Sequence, residues 1–216
     1  MRPDIDEALR YLGIHGPADP SLRSLAENLA QELTDRIKPR SIWRPLPVTR
    51  ENGVLCLAGV PLPGHSAARM LADCRQAALL LCTLGAEFDL WLRRMQARDM
   101  SAAVVLDALG SAYVEAACDA AEAEIAARYP DIYLTDRFSP GYGDLPLSLQ
   151  PMLLEQANAR RIGVACTDTL LMTPQKTVSA LIGLADKPQP ARIRGCAHCS
   201  MNRTCTLRKA GNTCDL

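Results

Sequence analysis

The sequence predicts an α+β protein, with helices around a twisted, mainly antiparallel sheet and a small Cys-rich tail at the C-terminus. Segments of helical and strand period alternate without a regular repeat and without a Gly-rich nucleotide fingerprint, which argues against a doubly wound sheet. Two pairs of strand-like segments are joined by short turns, "TRENG" and "TPQ". The chain of 216 residues is long enough for one substantial core, and 48% hydrophobic against 22% charged residues is a folded rather than a disordered profile.

Taken in order, Ile5 to Leu12 predicts a short helix. In "DPSLRSLAENLAQELTDRI" the residues Leu22, Leu25, Ala26, Leu29 and Leu33 form one stripe, with Asp19 as N-cap and Pro20 in the first turn. "SIWRPLPV" and "VLCLAGVPL" read as strands whose prolines place them at an edge or make them irregular. "SAARMLADC" reads as a short helix capped by Ser66, and "QAALLLCTL" as a buried strand ended by Gly85.

Ala86 to Arg128 has helical period, broken around Arg98 to Ser101; the second helix is Ala-rich and exposes Glu115, Asp119, Glu122 and Glu124. "DIYLTDRFS" alternates like a strand, and "LSLQPMLLEQANA" resumes helical spacing from about Pro151. "RIGVACTDTLLM" and "KTVSALIGL" read as a pair of closing strands. Beyond Leu184 the Pro-rich, basic "ADKPQPARIRG" reads as a linker, so the domain is expected to cover residues 1–185 and the tail residues 186–216.

Charge excludes little locally but something globally. Lys plus Arg equals Asp plus Glu at 24 each, so no net field draws the chain to nucleic acid or an anionic membrane. The acidic N-terminus lacks the apolar core of a signal peptide, and the longest apolar run, Ala77 to Ala86, is far short of the roughly 20 residues that span a bilayer. A cytoplasmic protein is expected, and in that compartment nine cysteines do not form a disulfide framework. Cys56, Cys74, Cys82, Cys118 and Cys166 sit singly among apolar neighbours and read as small hydrophobes.

The densest chemistry lies in "RFSPGYGDLPL", residues 137–147. Ser139-Pro140-Gly141-Tyr142 fits a type II turn, because proline presets its second position and glycine permits positive φ at the third. Gly143 adds backbone freedom that the turn does not need, and such glycines let a ligand approach main-chain N–H groups. Arg137 offers a planar charged fork to a carboxylate or phosphate, and Tyr142 a ring face and a hydroxyl. On residue chemistry alone, a binding loop and a surface corner with a stacked tyrosine both remain open.

"RFSPGYGDLPL", followed by "LQPMLLEQ" and "IGVACTDTLLMTPQKTVSALIGL" and preceded by "LLCTLGAEFD" and "VVLDALGSAYVEAACD", resembles the activation domain of cobalamin-dependent methionine synthase, and especially its stand-alone relatives. The resemblance covers about residues 1–185. It implies binding of S-adenosylmethionine, with Arg137 on the ligand's carboxylate, Gly141 and Tyr142 lining the pocket that faces cobalamin, and Ser139, Pro140 and Gly143 shaping the loop. The full-length enzyme has Pro-Ala-Cys-Pro after its Gly-Tyr, where this chain has Gly-Asp-Leu-Pro, so the resemblance assigns no role to Asp144. The family also places a helix carboxylate near the ligand. Glu115 is the candidate for it, although alignment on "DALGSAYVE" brings Ser111 closer to that place, and a solvated helix face accounts for Glu115 equally well.

The activity implied is the rescue of cobalamin stranded as Co(II): one-electron reduction gives scarce Co(I), which a methyl group from S-adenosylmethionine traps. The protein's part is positioning rather than acid or base catalysis, which suits the isolation of His15, His65 and His198. No Asp-x-His-x-x-Gly cobalamin motif is present, so the cobalamin is expected on a partner, the methionine synthase core or another corrinoid protein, with an electron donor such as a flavodoxin or ferredoxin.

The tail "CAHCSMNRTCTLRKAGNTC" places Cys196, Cys199, Cys205 and Cys214 in C-x2-C-x5-C-x8-C spacing. Four thiolates can hold zinc tetrahedrally or an iron-sulfur cluster, and spacing does not choose between them. A reductive activator using a tail cluster, and a non-catalytic binding module with a structural zinc tail, are the alternatives to methionine synthase reactivation.

Overall fold

The computed structural model describes residues 1–188 and Thr204; the tail cysteines Cys196, Cys199, Cys205 and Cys214 lie outside the described residues. The chain runs α1 (Ile5–Tyr11), α2 (Pro20–Arg36), β1 (Arg40–Glu51), β2 (Val54–Leu57), β3 (Val60–Pro61), α3 (His65–Met70), β4 (Cys74–Thr83), α4 (Ala86–Gln96) and α5 (Met100–Arg128). It continues through β5 (Tyr133–Leu134), α6 (Gln150–Ala157), β6 (Ala165–Cys166), β7 (Met172–Thr173) and β8 (Thr177–Ala185). A six-stranded antiparallel sheet has the order β3-β2-β1-β4-β8-β5, and β6 and β7 form a separate two-stranded ribbon. The expected α+β class is the observed one.

Local chemistry explains the boundaries. The Asp19 carboxylate accepts the Ser21 and Leu22 N–H groups at 2.9 and 3.4 Å, and Pro20 gives up only a donor that a helix start leaves unpaired. Ala26, Leu29, Ala30 and Leu33 of α2 are buried at the spacing of one helical face. Between α4 and α5, Asp99 accepts the Ala102 N–H at 3.0 Å and so starts the long helix. The β1–β2 turn is the two-residue Asn52-Gly53, with φ of 51° and 83°, the left-handed pair that matches strand twist.

Three sequence expectations change. β1 is an interior strand despite Pro45 and Pro47. Its register with β2 covers only Val48 to Glu51; the Pro47 carbonyl accepts the Ala58 N–H at 2.9 Å, and the chain then turns away at Ala58 and Gly59, both at positive φ. By strand alternation, the N–H groups that Pro45 and Pro47 lack would point to the side β2 has vacated. "RIGVACTDTLLM" and "KTVSALIGL" do not pair with each other. The first contains its own turn, in which the Thr167 hydroxyl accepts the Leu171 N–H at 3.1 Å and Leu170 takes positive φ, so β6 folds onto β7 and leaves β8 to the main sheet. Finally, the helix α3 is not capped by Ser66: Gly64 holds the N-cap position and makes no side-chain cap.

By contacts the described chain divides into two compact units. One comprises residues 1–43, 80–125 and 150–179, and the other residues 44–79, 126–149 and 180 onward. The first has a core that includes Leu33, Leu81, Phe88, Leu106, Leu109 and Leu153; the second buries Leu57, Leu62, Leu71, Leu79, Leu181 and Ile182. Cys56, Cys74, Cys82 and Cys118 are buried, as their surroundings in sequence suggest, and Cys166 is half-buried. α5 is long and apolar enough to cross a membrane by length and composition, but 67% of its most apolar stretch is buried within the protein. That is the profile of a core helix.

Gly110 lets α5 approach α4 closely. A Cβ there would fall inside van der Waals distance of the Phe88 ring, which is fully buried and meets Trp91 edge-on with centroids 6.5 Å apart. In Gly110→Ala the helix gains about 1 kcal/mol of propensity, but the ring has no solvent to swing into and overpacking of this kind costs about 1–3 kcal/mol. The expected net result is a loss of about 1 kcal/mol, read as a lower urea midpoint; a rise would show that the ring yields freely.

Candidate functional site

The loop is launched by a change of register. β5 pairs with β8 as Tyr133↔Ala185 and Leu134↔Leu184, and Thr135 continues this opposite Gly183, its N–H donating to the Gly183 carbonyl at 3.0 Å and its hydroxyl accepting the Gly183 N–H at 2.7 Å. The next pairing is Phe138↔Leu181. Asp136 and Arg137 therefore stand opposite the single residue Ile182, which is a β-bulge. The bulge resets the alternation, so that Thr135 and Phe138 are both buried while Arg137 is half-buried. "DIYLTDRFS" reads as a continuous strand because alternation cannot reveal an inserted residue.

Two turns follow back to back. The Tyr142 N–H donates to the Ser139 carbonyl at 3.2 Å with Gly141 at φ 90°, which is the expected type II turn. The Leu145 N–H then donates to the Tyr142 carbonyl at 3.1 Å with Gly143 at φ 56°, and the Gly141 N–H closes onto the Leu145 carbonyl at 2.8 Å. Pro140 and Leu145 are buried, whereas Tyr142 is 70% exposed and Gly141, Gly143 and Asp144 are exposed. The loop thus presents a tyrosine and two glycine peptides on a base fixed by proline and leucine.

Asp144 reaches back across the sequence. Its carboxylate accepts the N–H of His65, 79 residues away, and that of Ser66 at 3.1 and 3.3 Å, so it caps α3 in place of Ser66. Gly64 is required beside it: φ is 105°, and a Cβ would come within 2.7 Å of the Asp144 carbonyl oxygen and 2.8 Å of Oδ1. Desolvation pushes the Asp144 carboxyl up, but the hydrogen bonds from the His65 and Ser66 N–H groups and the Ser66 hydroxyl together outweigh it and hold the group below its usual range.

The first unit has a cleft of about 400 Å³ along α5, lined by Tyr11 and Leu12 of the first helical segment, Gln96, and Met100, Val104, Asp107 and Ser111 of α5. At its polar end Lys176, with its side chain only 16% exposed, pairs with Asp107 at 2.9 Å and donates to the Ser111 hydroxyl at 2.8 Å. Glu115, half-buried one turn further along α5, does not line this cleft. Tyr11 donates to Glu7 at 2.6 Å; burial, that hydrogen bond, and the charges of Glu7 and Glu115 raise its hydroxyl above the ordinary tyrosine value. Asp89 accepts the Gln175 N–H at 2.9 Å through Oδ2, while its buried Oδ1 has no partner among the described residues.

Arg137, Ser139, Pro140, Gly141, Tyr142 and Gly143 belong to the second unit and share one loop, whereas Glu115 belongs to the first. Sequence reasoning passed over Asp107 and Lys176, although Asp107 precedes Ser111 by one helical turn. It also left Asp144 unassigned, because nothing local in "GDLP" identifies a partner 79 residues away. Among the described residues no group of three or more His, Cys, Asp or Glu is placed to hold a metal.

No protein-family model matches the chain, and no curated protein matches it. Among solved structures it is similar to the MetH reactivation domain bound to AdoHcy, with a TM-score of 0.60 at 13% identity, covering 98% of this chain and 85% of that one. The two share a fold.

Because the Asp144 carboxyl is lowered in the folded state, its contribution to stability is full above the ordinary aspartate range and is lost as pH falls through the folded value. Asp144→Ala should cost about 1 kcal/mol at neutral pH, the usual value of a helix cap. The gap between wild type and variant should close below about pH 4; a gap that stays constant from pH 7 to pH 3 in urea melts contradicts the capping role.

Proposed function

We propose that this protein binds S-adenosylmethionine at the Arg137–Gly143 loop and supports reductive remethylation of the cobalamin of methionine synthase. The observation that carries the reading is the coincidence of two independent signals. The fold matches a reactivation domain whose structure holds AdoHcy, the demethylated product of that methyl donor, and the Arg-x-Ser-Pro-Gly-Tyr segment forms an exposed double turn.

In this reading Arg137 meets the ligand's carboxylate, the peptides of Gly141 and Gly143 admit close approach to its main body, and the Tyr142 ring covers it. Ser139 and Pro140 set the turn. The transferred methyl leaves the sulfonium with the C–S electron pair remaining on sulfur, and is taken up by the Co(I) of a partner's cobalamin, the substrate; S-adenosylhomocysteine is the product. The chain's task is to hold the methyl in line for that transfer and to exclude water, and no side chain need act as acid or base. The helix carboxylate that the resemblance implies near the ligand is read as Glu115.

The tail, residues 186–216, is read as a separate module in which Cys196, Cys199, Cys205 and Cys214 supply four thiolates. Such a set suits zinc or an iron-sulfur cluster. A cluster would supply one-electron chemistry to the same reaction, with the electron coming from a flavodoxin or ferredoxin; a reductive activator of another corrinoid protein would use it in the same way.

Calorimetry with S-adenosylmethionine should show micromolar-range or tighter binding that Arg137→Ala weakens about 10- to 100-fold, the worth of a charged hydrogen bond. Unchanged affinity defeats the carboxylate contact. The reaction itself is tested by mixing the protein with a Co(II) methionine synthase core, a reductant and S-adenosylmethionine: appearance of methylcobalamin supports the reading, and its absence with several corrinoid proteins counts against it. Iron and zinc are measured in protein purified without oxygen, where a colourless, iron-free preparation excludes the cluster.

A further inference from the structure

We infer that Asp144 is the positioning residue of the ligand loop, holding the Gly141–Gly143 backbone in its binding shape by locking onto Gly64–Ser66 without touching the ligand. This rests on the ligand reading proposed above and explains a residue that the reading leaves unused.

The loop needs such a lock. Its tip, residues 141–144, is exposed, and the Tyr142 ring, at 70% exposure, contributes little that would fix it against the protein. The backbone bonds among Ser139, Gly141, Tyr142 and Leu145 close the two turns on themselves but tie the tip to nothing outside the loop. Two of the tip residues are glycines, the residue type with the most conformational freedom to lose. An unrestrained tip would have to be ordered at the moment of binding, at the expense of affinity.

The lock is built from both sides. The Asp144 carboxylate takes the two N–H groups that open α3, and these have no other acceptor in a helix start. Gly64 lies so close that any side chain would strike Asp144, at 2.7 to 2.9 Å, and its φ of 105° keeps other residues out in any case. On the loop side a Cβ at Gly143 would lie 3.3 Å from the Ser66 hydroxyl and 3.6 Å from the Phe138 ring. Residues 64–66 and 143–144 are therefore matched in shape as well as in hydrogen bonding, over a sequence separation of 79 residues. The Gly64 side of the contact leaves no room for a side chain, and the Gly143 side packs closely against the Ser66 hydroxyl and the Phe138 ring, so the fit extends beyond the cap itself.

The test compares wild type, Asp144→Ala, Asp144→Asn and Gly64→Ala in the full chain. Amide hydrogen exchange is followed at Gly141, Tyr142 and Leu145 without ligand, and affinity for S-adenosylhomocysteine is measured by calorimetry. Asp144→Ala should speed exchange at these three amides and weaken affinity about fivefold to tenfold, the equivalent of one lost cap. Asp144→Asn, which keeps one acceptor oxygen, should fall between, and stands in if the alanine variant does not fold. Gly64→Ala should also speed exchange and weaken affinity, by at least as much as Asp144→Ala, because its Cβ strikes the Asp144 backbone as well as the carboxylate. Unchanged exchange or unchanged affinity in Asp144→Ala would each overturn the positioning role. Wild-type protein that binds no S-adenosylhomocysteine defeats the ligand reading itself, whereas wild-type binding with an indifferent Asp144→Ala defeats only the lock.

Discussion

The loop depends on a mismatch of one residue. Up to Thr135 the strand β5 keeps step with β8; at Phe138 it pairs again, one residue late. A regular ladder through this point would place Thr135 and Phe138 on opposite faces and carry the chain onward as a strand. The extra residue instead lets both side chains bury, which anchors the strand on either side of the bulge while the backbone between them turns outward. Arg137 is the residue delivered at that turn. Everything that follows, the two turns and the reach of Asp144 to α3, begins from a point fixed by Phe138.

Much of this architecture can be read in the chain because its causes are local. Asp19-Pro20 opens a helix wherever it precedes an apolar stripe, Asn52-Gly53 closes a two-residue hairpin, and Ser139-Pro140-Gly141-Tyr142 makes a type II turn through the restrictions on φ at its proline and glycine. Most of what could not be read has causes elsewhere in the chain. The β-bulge is set by the partner strand and the cap of α3 by a carboxylate beyond α5; the β6–β7 turn alone is local, made by Thr167 to Leu171 within a segment that reads as one strand. Residues 137–143 were legible as one loop. The contact of Asp144 with α3 was not, nor, separately, the Asp107–Lys176 pair beside the α5 cleft, because a charged side chain in isolation reads as a solvated one until its partner is known.

The similarity to the MetH reactivation domain at 13% identity shows how little sequence a fold of this kind requires. In this chain the fold rests on alternation in the buried strands, the period of the helices, and glycines where backbones or rings crowd, as at Gly110 against Phe88 and Gly183 against Cys74 and Thr135. Side chains outside these positions are free to diverge.

The prolines of β1 carry a consequence of another sort. The register of β1 with β2 ends at Val48, and a strand margin beyond its neighbour is where a strand from another molecule would ordinarily add. Pro45 and Pro47 are both exposed there, and neither has an N–H to donate. At these two positions an incoming strand would find no donor to complete a ladder. The same residues that argue from sequence against an interior strand thereby guard that strand from polymerisation, allowing a twelve-residue strand to outrun its four-residue neighbour without exposing an adhesive edge.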